Sequence, residues 1–301
     1  MTLEQLRIFI AVAQFEHVTK AAEQLGLTQS AASAAVAALE QRHATPLFHR
    51  VGRRIQLTEA GQIFLVEAKA VVARATAAEL VLQELSEMKR GTLLVQASQT
   101  IATYWLPRRL IHFRQLRPHI QIKVGIGNTA QVAKAVLDGA VELGFVEGEI
   151  DETTLSCETV AYDHLVLVVG VKHPWAGRTS VEPKELIKTT WVLREPGSGT
   201  RSTFETSLAR LDIRGNDLDV AIELPSNECV RMAVEAGIGA TVISELVVSE
   251  SVNRGTLHKI SLNLPARPFH AVRHRERHQS RASKEILNLI ADQTLAPPEV
   301  L

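Results

Sequence analysis

The sequence predicts a protein of mixed α/β class with an all-α-type head at its N-terminus. Short apolar patterns of helical period fill residues 2–43, and one longer pattern of spacings four and three fills residues 59–88. From Gly91 onward, short β-type runs alternate with helical runs. This order predicts a small helical domain, one long helix and an α/β region, and 301 residues suffice for two or three such parts.

Composition favours a folded chain, since 46% of residues are hydrophobic and 22% are charged. The formal net charge is zero, so the chain is no generic polyanion binder, and the distribution of charge matters more. Between Gln41 and Thr58 there is no acid, and the bases are Arg42, His43, His49, Arg50, Arg53 and Arg54. A second basic stretch, Arg267 to Lys284, is expected to be a solvated surface.

We expect a cytoplasmic protein without a membrane segment. No apolar run reaches the roughly 18–20 residues that cross a bilayer. The N-terminal residues predict an amphipathic helix with Glu4 in its first turns rather than a signal peptide. Cys157 and Cys229 have no metal-like spacing and are expected to be reduced thiols, with a redox pair as the alternative.

The head has the pattern of a helix-turn-helix. Thr2 is a plausible N-cap for a helix through residue 15, and Thr19 for a second, short helix that ends at Gly26. Thr28 then caps a third helix over residues 29–43. Two helices joined by a tight turn that contains glycine are typical of this motif.

A wing follows the third helix. Leu47, Phe48, Ile55 and Leu57 flank a turn centred on Gly52, with basic residues on both sides. This predicts a two-stranded wing, so that residues 1–58 form a winged helix-turn-helix that binds duplex DNA.

Residues 59–90 predict a linker helix that dimerises. One apolar stripe continues over about three heptads, the minimum for a coiled coil. Its members are Phe64, Ala68, Val71, Ala75, Ala78, Leu82 and Leu85. A long helix cannot bury such a stripe alone, which predicts the same helix of a second subunit as partner; the alternative is an ordinary helix packed on its own domain.

Beyond Gly91 the alternation of strands and helices predicts parallel βαβ units. Two segments stand out at strand-to-helix turns, Ala97–Thr100 and Glu195–Arg201, because both bring hydroxyls and free backbone N–H groups to a helix start. In open α/β sheets, ligands bind beyond the carboxyl ends of the strands.

The whole pattern resembles the LysR-type transcriptional regulators. The resemblance rests on AAEQL, TQSAAS, ALE, LFHR and LTEAG in the head, and on LPRRLIHFRQLRP, REPGSGTR and AVEAGIGATVIS beyond it. It implies a winged helix-turn-helix, a dimerising linker helix and a periplasmic-binding-protein-like effector domain. The REPGSGTR branch is similar to regulators of sulfur assimilation and carbon fixation.

The resemblance implies three parts, residues 1–58, 59–90 and 91–301. The effector domain would comprise subdomain I, about 91–161 completed by 268–293, and subdomain II, about 162–267. The family's usual assembly is a homotetramer, and the stripe supports at least a homodimer.

The residues expected to contact DNA lie on the third helix and the wing. Gln29 can form a bidentate contact with adenine, and the serines can form hydrogen bonds to bases or phosphates. The arginines can contact phosphates or the minor groove. Ala34 and Ala35 depart from the family's usual Arg, Lys or Gln, so strong guanine readout is not expected. The DNA-binding candidates are Thr28, Gln29, Ser30, Ser33, Arg50, Arg53 and Arg54.

The resemblance to the REPGSGTR branch implies that the effector is a small oxyanion, such as sulfite or sulfate, or a small carboxylate. Glu147 would disfavour an anion unless it is protonated or paired, for example with Arg201. The candidate effector-binding residues are Ser98, Gln99, Thr100, Thr129, Glu147, Ser198, Gly199, Thr200, Arg201 and Asn227.

No enzyme, cofactor or metal site is expected. The sequence contains no G-x-S-x-G, P-loop, H-E-x-x-H or C-x-x-C motif. His270, His274 and His278 recur every four residues, but their neighbours suggest a strand and a basic loop. The alternatives are a redox-responsive regulator that uses Cys157 and Cys229, an enzyme with an α/β cleft, and a purely architectural DNA protein, which would not need such a cleft.

Overall fold

The computed structural model describes residues 1–51, 54–85, 92–148 and 150–295. The chain divides into two compact units, one containing residues 1–87 and the other most of the chain from residue 88 onward.

Three short helices form the head: α1 (Leu3–Phe15), α2 (Val18–Gln24) and α3 (Gln29–His43). Thr2 and Gln5 form a reciprocal capping box at α1, and the Thr28 hydroxyl accepts from the Ala31 N–H at 3.2 Å, as predicted. The prediction for α2 was wrong, because its N-cap is His17 rather than Thr19. The Nδ1 atom of His17 accepts from the Lys20 N–H at 3.5 Å, so α2 begins earlier.

The predicted wing is present as β1 (Phe48–Val51) and β2 (Arg54–Leu57). The strands pair antiparallel, with Phe48 opposite Leu57 and Arg50 opposite Ile55. The ring of Phe48 lies 5.4 Å from that of Phe9, centroid to centroid, so the base of the wing packs on the head's core. Gly52 and Arg53 lie outside the described residues.

Helix α4 (Glu59–Leu85) begins one residue after the wing. The first part of its apolar stripe is buried within the head, where Ala68 and Phe64 join Phe9 and Leu6. Further along, the stripe is open, since Val71 is 42% and Leu82 is 67% exposed. The stripe therefore has two parts. Its first part packs on the helix's own domain, as the alternative interpretation expected, and its later part presents an exposed apolar face. The side chain of Leu85 lies outside the described residues.

Two five-stranded sheets form the second unit. The first has the order β4-β3-β5-β12-β6 and the second the order β11-β7-β10-β8-β9. The strands are β3 (Thr92–Ser98), β4 (Gln121–Gly127), β5 (Leu143–Glu147), β6 (Leu155–Asp163), β7 (Leu165–Gly170), β8 (Thr190–Arg194), β9 (Asp219–Leu224), β10 (Ala240–Ser244), β11 (Leu257–Ile260) and β12 (Arg267–His274).

Helices cover both sheets. They are α5 (Leu106–Leu116), preceded by a π-helical turn (Ile101–Trp105), α6 (Thr129–Asp138), α7 (Pro183–Leu186), α8 (Gly199–Ala209), α9 (Asn227–Glu235), α10 (Glu245–Asn253) and α11 (Arg281–Leu295). A short 3₁₀ turn, Gly215–Asp217, precedes β9.

The sheets are mixed rather than purely parallel. Strands β3, β4 and β5 pair in parallel, as do β8, β9 and β10, in agreement with the βαβ prediction. However, β12 is antiparallel to β5 and β6, and β7 is antiparallel to β10 and β11. The chain passes between the sheets twice, from β6 into β7 and from β11 into β12, and the return strand enters the first sheet in the opposite direction.

Each sheet has its own core. Trp105 contacts Phe145 and Phe269 in the first, and Trp191 stacks against Phe204 in the second. Among the described helices, none combines the length and the apolar character that crossing a membrane requires.

Candidate functional site

The N-terminal face of α3 is open to solvent while its opposite face holds the head together. Ala32, Val36 and Leu39 are buried. Thr28, Gln29, Ser30 and Ser33 are exposed, and so is Ala34, which has no group that can form a hydrogen bond to a base. The hydroxyls of Thr28 and Ser30 lie 3.1 Å apart. The polar candidates of this helix thus share one accessible surface.

The wing adds an exposed basic side chain to the head. Arg50 is exposed on β1, and Arg54 begins β2. Arg53 and the side chain of Arg54 lie outside the described residues. The C-terminus of α1 supports the wing, because the Ile55 N–H donates to the Glu16 carbonyl at 3.3 Å.

In the second unit, the effector candidates meet where strands end. Ser98 ends β3 and Glu147 ends β5, which are neighbouring parallel strands. Thr200 lies in the first turn of α8, directly after β8 and its short loop. Ser98, Glu147 and Thr200 are each at most 2% exposed. The carboxyl ends of the strands therefore converge on one buried polar cluster, as parallel sheets dictate.

Arg267 joins this cluster, and it was missed in the sequence. Its Nη1 donates to the Thr200 hydroxyl at 3.1 Å and lies 3.7 Å from Oε1 of Glu147. The Ser98 hydroxyl donates to Oε2 of Glu147, and the Thr129 hydroxyl donates to the Glu147 carbonyl at 2.7 Å. The partner of Glu147 is thus Arg267 and not Arg201.

Arg267 also binds a second carboxylate. Its Nε donates to Oδ2 of Asp163 at 2.8 Å, and Ser244 donates to Oδ1 of Asp163 at 2.8 Å. Arg267 and Asp163 face each other in the register of β12 and β6. The expectation that the stretch from Arg267 is a solvated surface was wrong for this residue, which is 2% exposed. Its strand pairing, which no local pattern reveals, determines this burial.

Other arginines of that stretch also serve the fold. Arg277 donates to the carbonyls of Val136 and Leu137 at the end of α6, at 2.5 and 2.6 Å. Arg275 donates to the Thr153 carbonyl at 2.8 Å. Basic side chains at a helix C-terminus satisfy its orphan carbonyls.

Gln99, Thr100 and Asn227 form a second cluster. The Asn227 amide donates to the Thr100 hydroxyl at 2.9 Å, and its backbone N–H donates to Oε1 of Gln99 at 2.6 Å. Arg194, at the end of β8, donates to Oδ1 of Asn227 at 2.5 Å. Since Thr100 follows the first sheet and Asn227 the second, these bonds join the two sheets' ends.

Tyr104 extends this junction. Its hydroxyl donates to Glu228 at 3.1 Å, and its ring packs against the cluster that contains Val230 and Val234 of α9. Burial and the adjacent Glu228 carboxylate raise the pKa of Tyr104 to about 12. The phenol is therefore a stable donor.

The glycines of the 195–201 segment allow close approach. A Cβ on Gly199 would lie 2.1 Å from the Glu147 carbonyl oxygen, and Gly197 has a φ of +88°. The Ser198 hydroxyl makes no capping bond to α8, and among the described residues no other side chain is recorded as accepting from the first N–H groups of this helix.

Arg201 does not join either cluster. Its guanidinium donates to Glu205 at 2.7 Å, and also to Glu223 and the Arg194 carbonyl. These bonds raise the pKa of Arg201, although its partial desolvation opposes the shift.

The two cysteines lie on separate elements, Cys157 on β6 and Cys229 on α9, and both are free thiols. Desolvation raises the pKa of the Cys157 thiol, which lowers its thiolate fraction. Over the described residues, no cluster of histidine, cysteine or acidic side chains could hold a metal.

Comparisons with known proteins identify the family of both parts of the chain. Residues 3–62 match the model of the bacterial regulatory helix-turn-helix protein, lysR family, and residues 86–294 match the LysR substrate binding domain. The chain is 33% identical over 291 residues to the HTH-type transcriptional regulator YeiE of Escherichia coli strain K12, covering 96% of each chain. It is 34% identical to a probable RuBisCO transcriptional regulator of Trichormus variabilis, over 85% of this chain and 77% of that one.

A solved structure shares the whole fold. Full-length CbnR, complexed with its target DNA, matches with a TM-score of 0.68 at 19% identity, over 97% of this chain and 99% of CbnR. The fold class and the resemblance predicted from the sequence are thus confirmed, and the relatives are regulators rather than enzymes. The chain belongs to the LysR family of bacterial helix-turn-helix transcriptional regulators.

Proposed function

We propose that this regulator binds a small anion between the two sheets of its effector domain and that the anion alters its binding to promoter DNA. The observation that carries the proposal is the start of α8, where the N-cap Ser198 makes no side-chain cap, beside the hydroxyls of Thr200 and Ser98 and the guanidinium of Arg267. Uncapped helix N-termini and arginine are both suited to oxyanions.

The anion would replace Glu147 as a partner of Arg267. The distance of 3.7 Å between Arg267 Nη1 and Glu147 Oε1 is too long for a hydrogen bond, whereas the Asp163 carboxylate is held at 2.8 Å. Glu147 is thus the weaker of the two partners. The single positive charge of Arg267 lies between two buried carboxylates, so none of it is left uncompensated. An anion would therefore bind most favourably by taking the place of Glu147 beside Arg267.

Exchange at this position would change the arrangement of the two subdomains, which we assign near residues 91–161 with 268–293 and 162–267. Glu147 and Ser98 belong to the first sheet, and Thr200 to the second subdomain. A ligand that bridges them with different affinity in two arrangements shifts their populations. Sulfite, sulfate and small carboxylates fit this chemistry.

For DNA, we propose that Gln29, Ser30 and Ser33 contact bases or phosphates and that Thr28 caps the helix that carries them. Arg50, Arg53 and Arg54 would neutralise phosphates. A homodimer, or a homotetramer, would join two heads through the open part of the α4 stripe. Because its proposed target is the chromosome, we expect the protein in the cytoplasm.

The decisive experiment measures thermal stability and DNA affinity with sulfate, sulfite and acetate as probes. A bound anion stabilises the fold by RT ln(1 + [L]/Kd), about 2.7 kcal/mol at a hundredfold excess over Kd. Thr200→Val is expected to abolish the shift, while Thr206→Val, at an exposed position of the same helix, keeps it. Glu147→Gln is expected to bind the anion more tightly, because it removes the competing charge.

Loss of the anion effect in Thr206→Val, or weaker anion binding by Glu147→Gln, contradicts the exchange at Arg267. If no probe stabilises the unsubstituted chain or changes its DNA affinity, the anionic class of effector is wrong.

A further inference from the structure

Glu40, near the end of α3, binds the start of the wing. Its Oε1 accepts from the backbone N–H of Leu47 at 2.7 Å and of Phe48 at 3.0 Å. One carboxylate oxygen thus holds the two residues through which the chain enters β1. Hydrogen bonds to an ionised acceptor are stronger than neutral ones.

Glu40 stands at an electrostatically unfavourable position. A negative charge in the last turn of a helix opposes the helix dipole, and a carboxylate in a DNA-binding head repels phosphates. Within the described residues, the structure records no ion pair for Glu40. The two backbone N–H groups of the wing are therefore the recorded partners that compensate this charge.

The wing needs such a partner because it is small. Two strands of four residues are marginal by themselves in water. Two further backbone bonds stabilise the hairpin. The Thr58 N–H donates to the Leu47 carbonyl at 3.0 Å and closes its base, and the Ile55 N–H donates to the Glu16 carbonyl, at the end of α1, at 3.3 Å.

On the side of α3, Val36 and Leu39 pack in the same apolar clusters as Phe48. Glu40 adds directional hydrogen bonds that tie the start of the wing to the helix whose open face carries Gln29 and Ser33.

We infer that Glu40 is a positioning residue that sets the wing relative to α3 and thereby brings Arg50 to the DNA backbone. The inference rests on the proposed role of Arg50. Glu40 itself touches no DNA. Its removal would leave α3 able to bind while the wing loses its fixed direction.

The test is the salt dependence of binding of the full chain to a mixed-sequence duplex, for Arg50→Ala, Glu40→Ala and the double variant. The slope of log K against log salt is negative, and each lost phosphate contact lowers its magnitude, called the slope below, by about 0.9. We expect Glu40→Ala to lower the slope as much as Arg50→Ala, and the double variant to lower it no further. Glu40→Gln keeps an oxygen acceptor at the same place and should retain most of the slope.

Controls separate positioning from charge and folding. Glu23→Ala removes one negative charge from an exposed site of the same head and should not lower the slope. Hydrogen exchange at Leu47 and Phe48 should accelerate in Glu40→Ala and remain slow in Glu40→Gln. If Glu40→Ala does not fold, Glu40→Asp, which withdraws the acceptor by one methylene, is expected to show the same non-additivity with Arg50→Ala.

Additive effects of Glu40→Ala and Arg50→Ala would contradict the positioning role of Glu40, and so would a Glu40→Gln variant that behaves like Glu40→Ala. Either result would leave the proposed wing contact of Arg50 intact. An unchanged slope in Arg50→Ala overturns the wing contact and, with it, this inference.

Discussion

Arg267 and Asp163 form a buried ion pair between β12 and β6, the two strands at which the chain passes between the sheets. The Nε–Oδ2 distance is 2.8 Å, and the two residues are 2% and 3% exposed. Ser244, at the end of β10, and Thr200, in the first turn of α8, bind the same pair. The pair therefore connects the two points at which the chain passes between the sheets.

We expect Arg267→Met to destabilise the effector domain by about 3–5 kcal/mol, since it leaves two buried carboxylates without their cation. Arg210→Met, at an exposed arginine, should remain within about 0.5 kcal/mol of the parent. Urea unfolding followed by tryptophan fluorescence measures both, as Trp105, Trp175 and Trp191 all lie in this unit. Equal effects of the two substitutions would contradict the importance of the pair.

Gly199→Ala should weaken the contact between α8 and β5. The added Cβ would meet the Glu147 carbonyl at 2.1 Å and the Thr129 hydroxyl at 2.6 Å, so the backbone must move. Overpacking of this kind costs about 1–3 kcal/mol. The control is Gly215→Ala, whose nearest neighbour is the flexible Glu205 side chain at 3.7 Å. A Gly199→Ala protein as stable as this control would show that the close approach is dispensable.

Ala44→Gly should stabilise the head by up to about 1 kcal/mol. Ala44 ends α3 with a φ of +48°, a conformation that costs L-residues about 1–2 kcal/mol but glycine very little. Ala34→Gly, at an exposed interior position of the same helix, should have the opposite sign and cost about 1 kcal/mol. Because no tryptophan lies in the head, hydrogen exchange of the α3 amides is the appropriate measurement. Slower exchange in Ala34→Gly would be the contrary result.

The stability of the effector domain should fall in mild acid. Burial lowers the pKa of His173 below its ordinary 6.5, and Nδ1 of the ring accepts from the Trp175 N–H at 3.1 Å, which requires the neutral form. The contribution is therefore complete above pH 6.5 and is lost as pH falls through the lower, folded-state pKa.

His173→Asn, which offers an oxygen near Nδ1, should reduce this pH dependence in urea unfolding between about pH 5 and 7. Some dependence should persist, because burial also lowers the pKa of His270. If His173→Asn kept the full pH dependence of stability, groups other than His173 would be responsible for it.

Association should depend on the open part of the α4 stripe. Val71→Glu with Leu82→Glu should shift the protein toward monomers in sedimentation, because both side chains are exposed on one face. Val66→Glu is a matched control: Val66 is 56% exposed, and five residues at about 100° per residue separate it from Val71 by about 140°. If Val66→Glu dissociates the protein and the double variant does not, the interface lies elsewhere.

The sequence was most informative where local chemistry decides structure. Thr2 and Thr28 cap helices as expected because each bond spans only three residues. The same rule failed at His17, where a histidine took the place expected for Thr19. The helical period of α4 was clear, but the sequence alone could not divide its stripe between the head's core and an open face.

Long-range pairing was beyond local patterns. Ser98, Glu147 and Thr200 were identified because each ends a strand or begins a helix, and the structure brings them within one cluster. Arg267 was assigned to a basic surface because its neighbours are basic, yet its burial follows from pairing with Asp163, 104 residues away. Arg201 resembled a ligand residue, but Glu205 lies one helical turn beyond it and binds its guanidinium.

The central position of β12 has a consequence for synthesis on the ribosome. This strand lies between β5 and β6, although it is formed by residues 267–274, near the end of the chain. Until it emerges, the nascent first sheet lacks an inner strand, and the edges of β5 and β6 remain open to other chains. The head can fold early, whereas any product that stops before residue 267 would carry a DNA-binding head on an incomplete, aggregation-prone sheet.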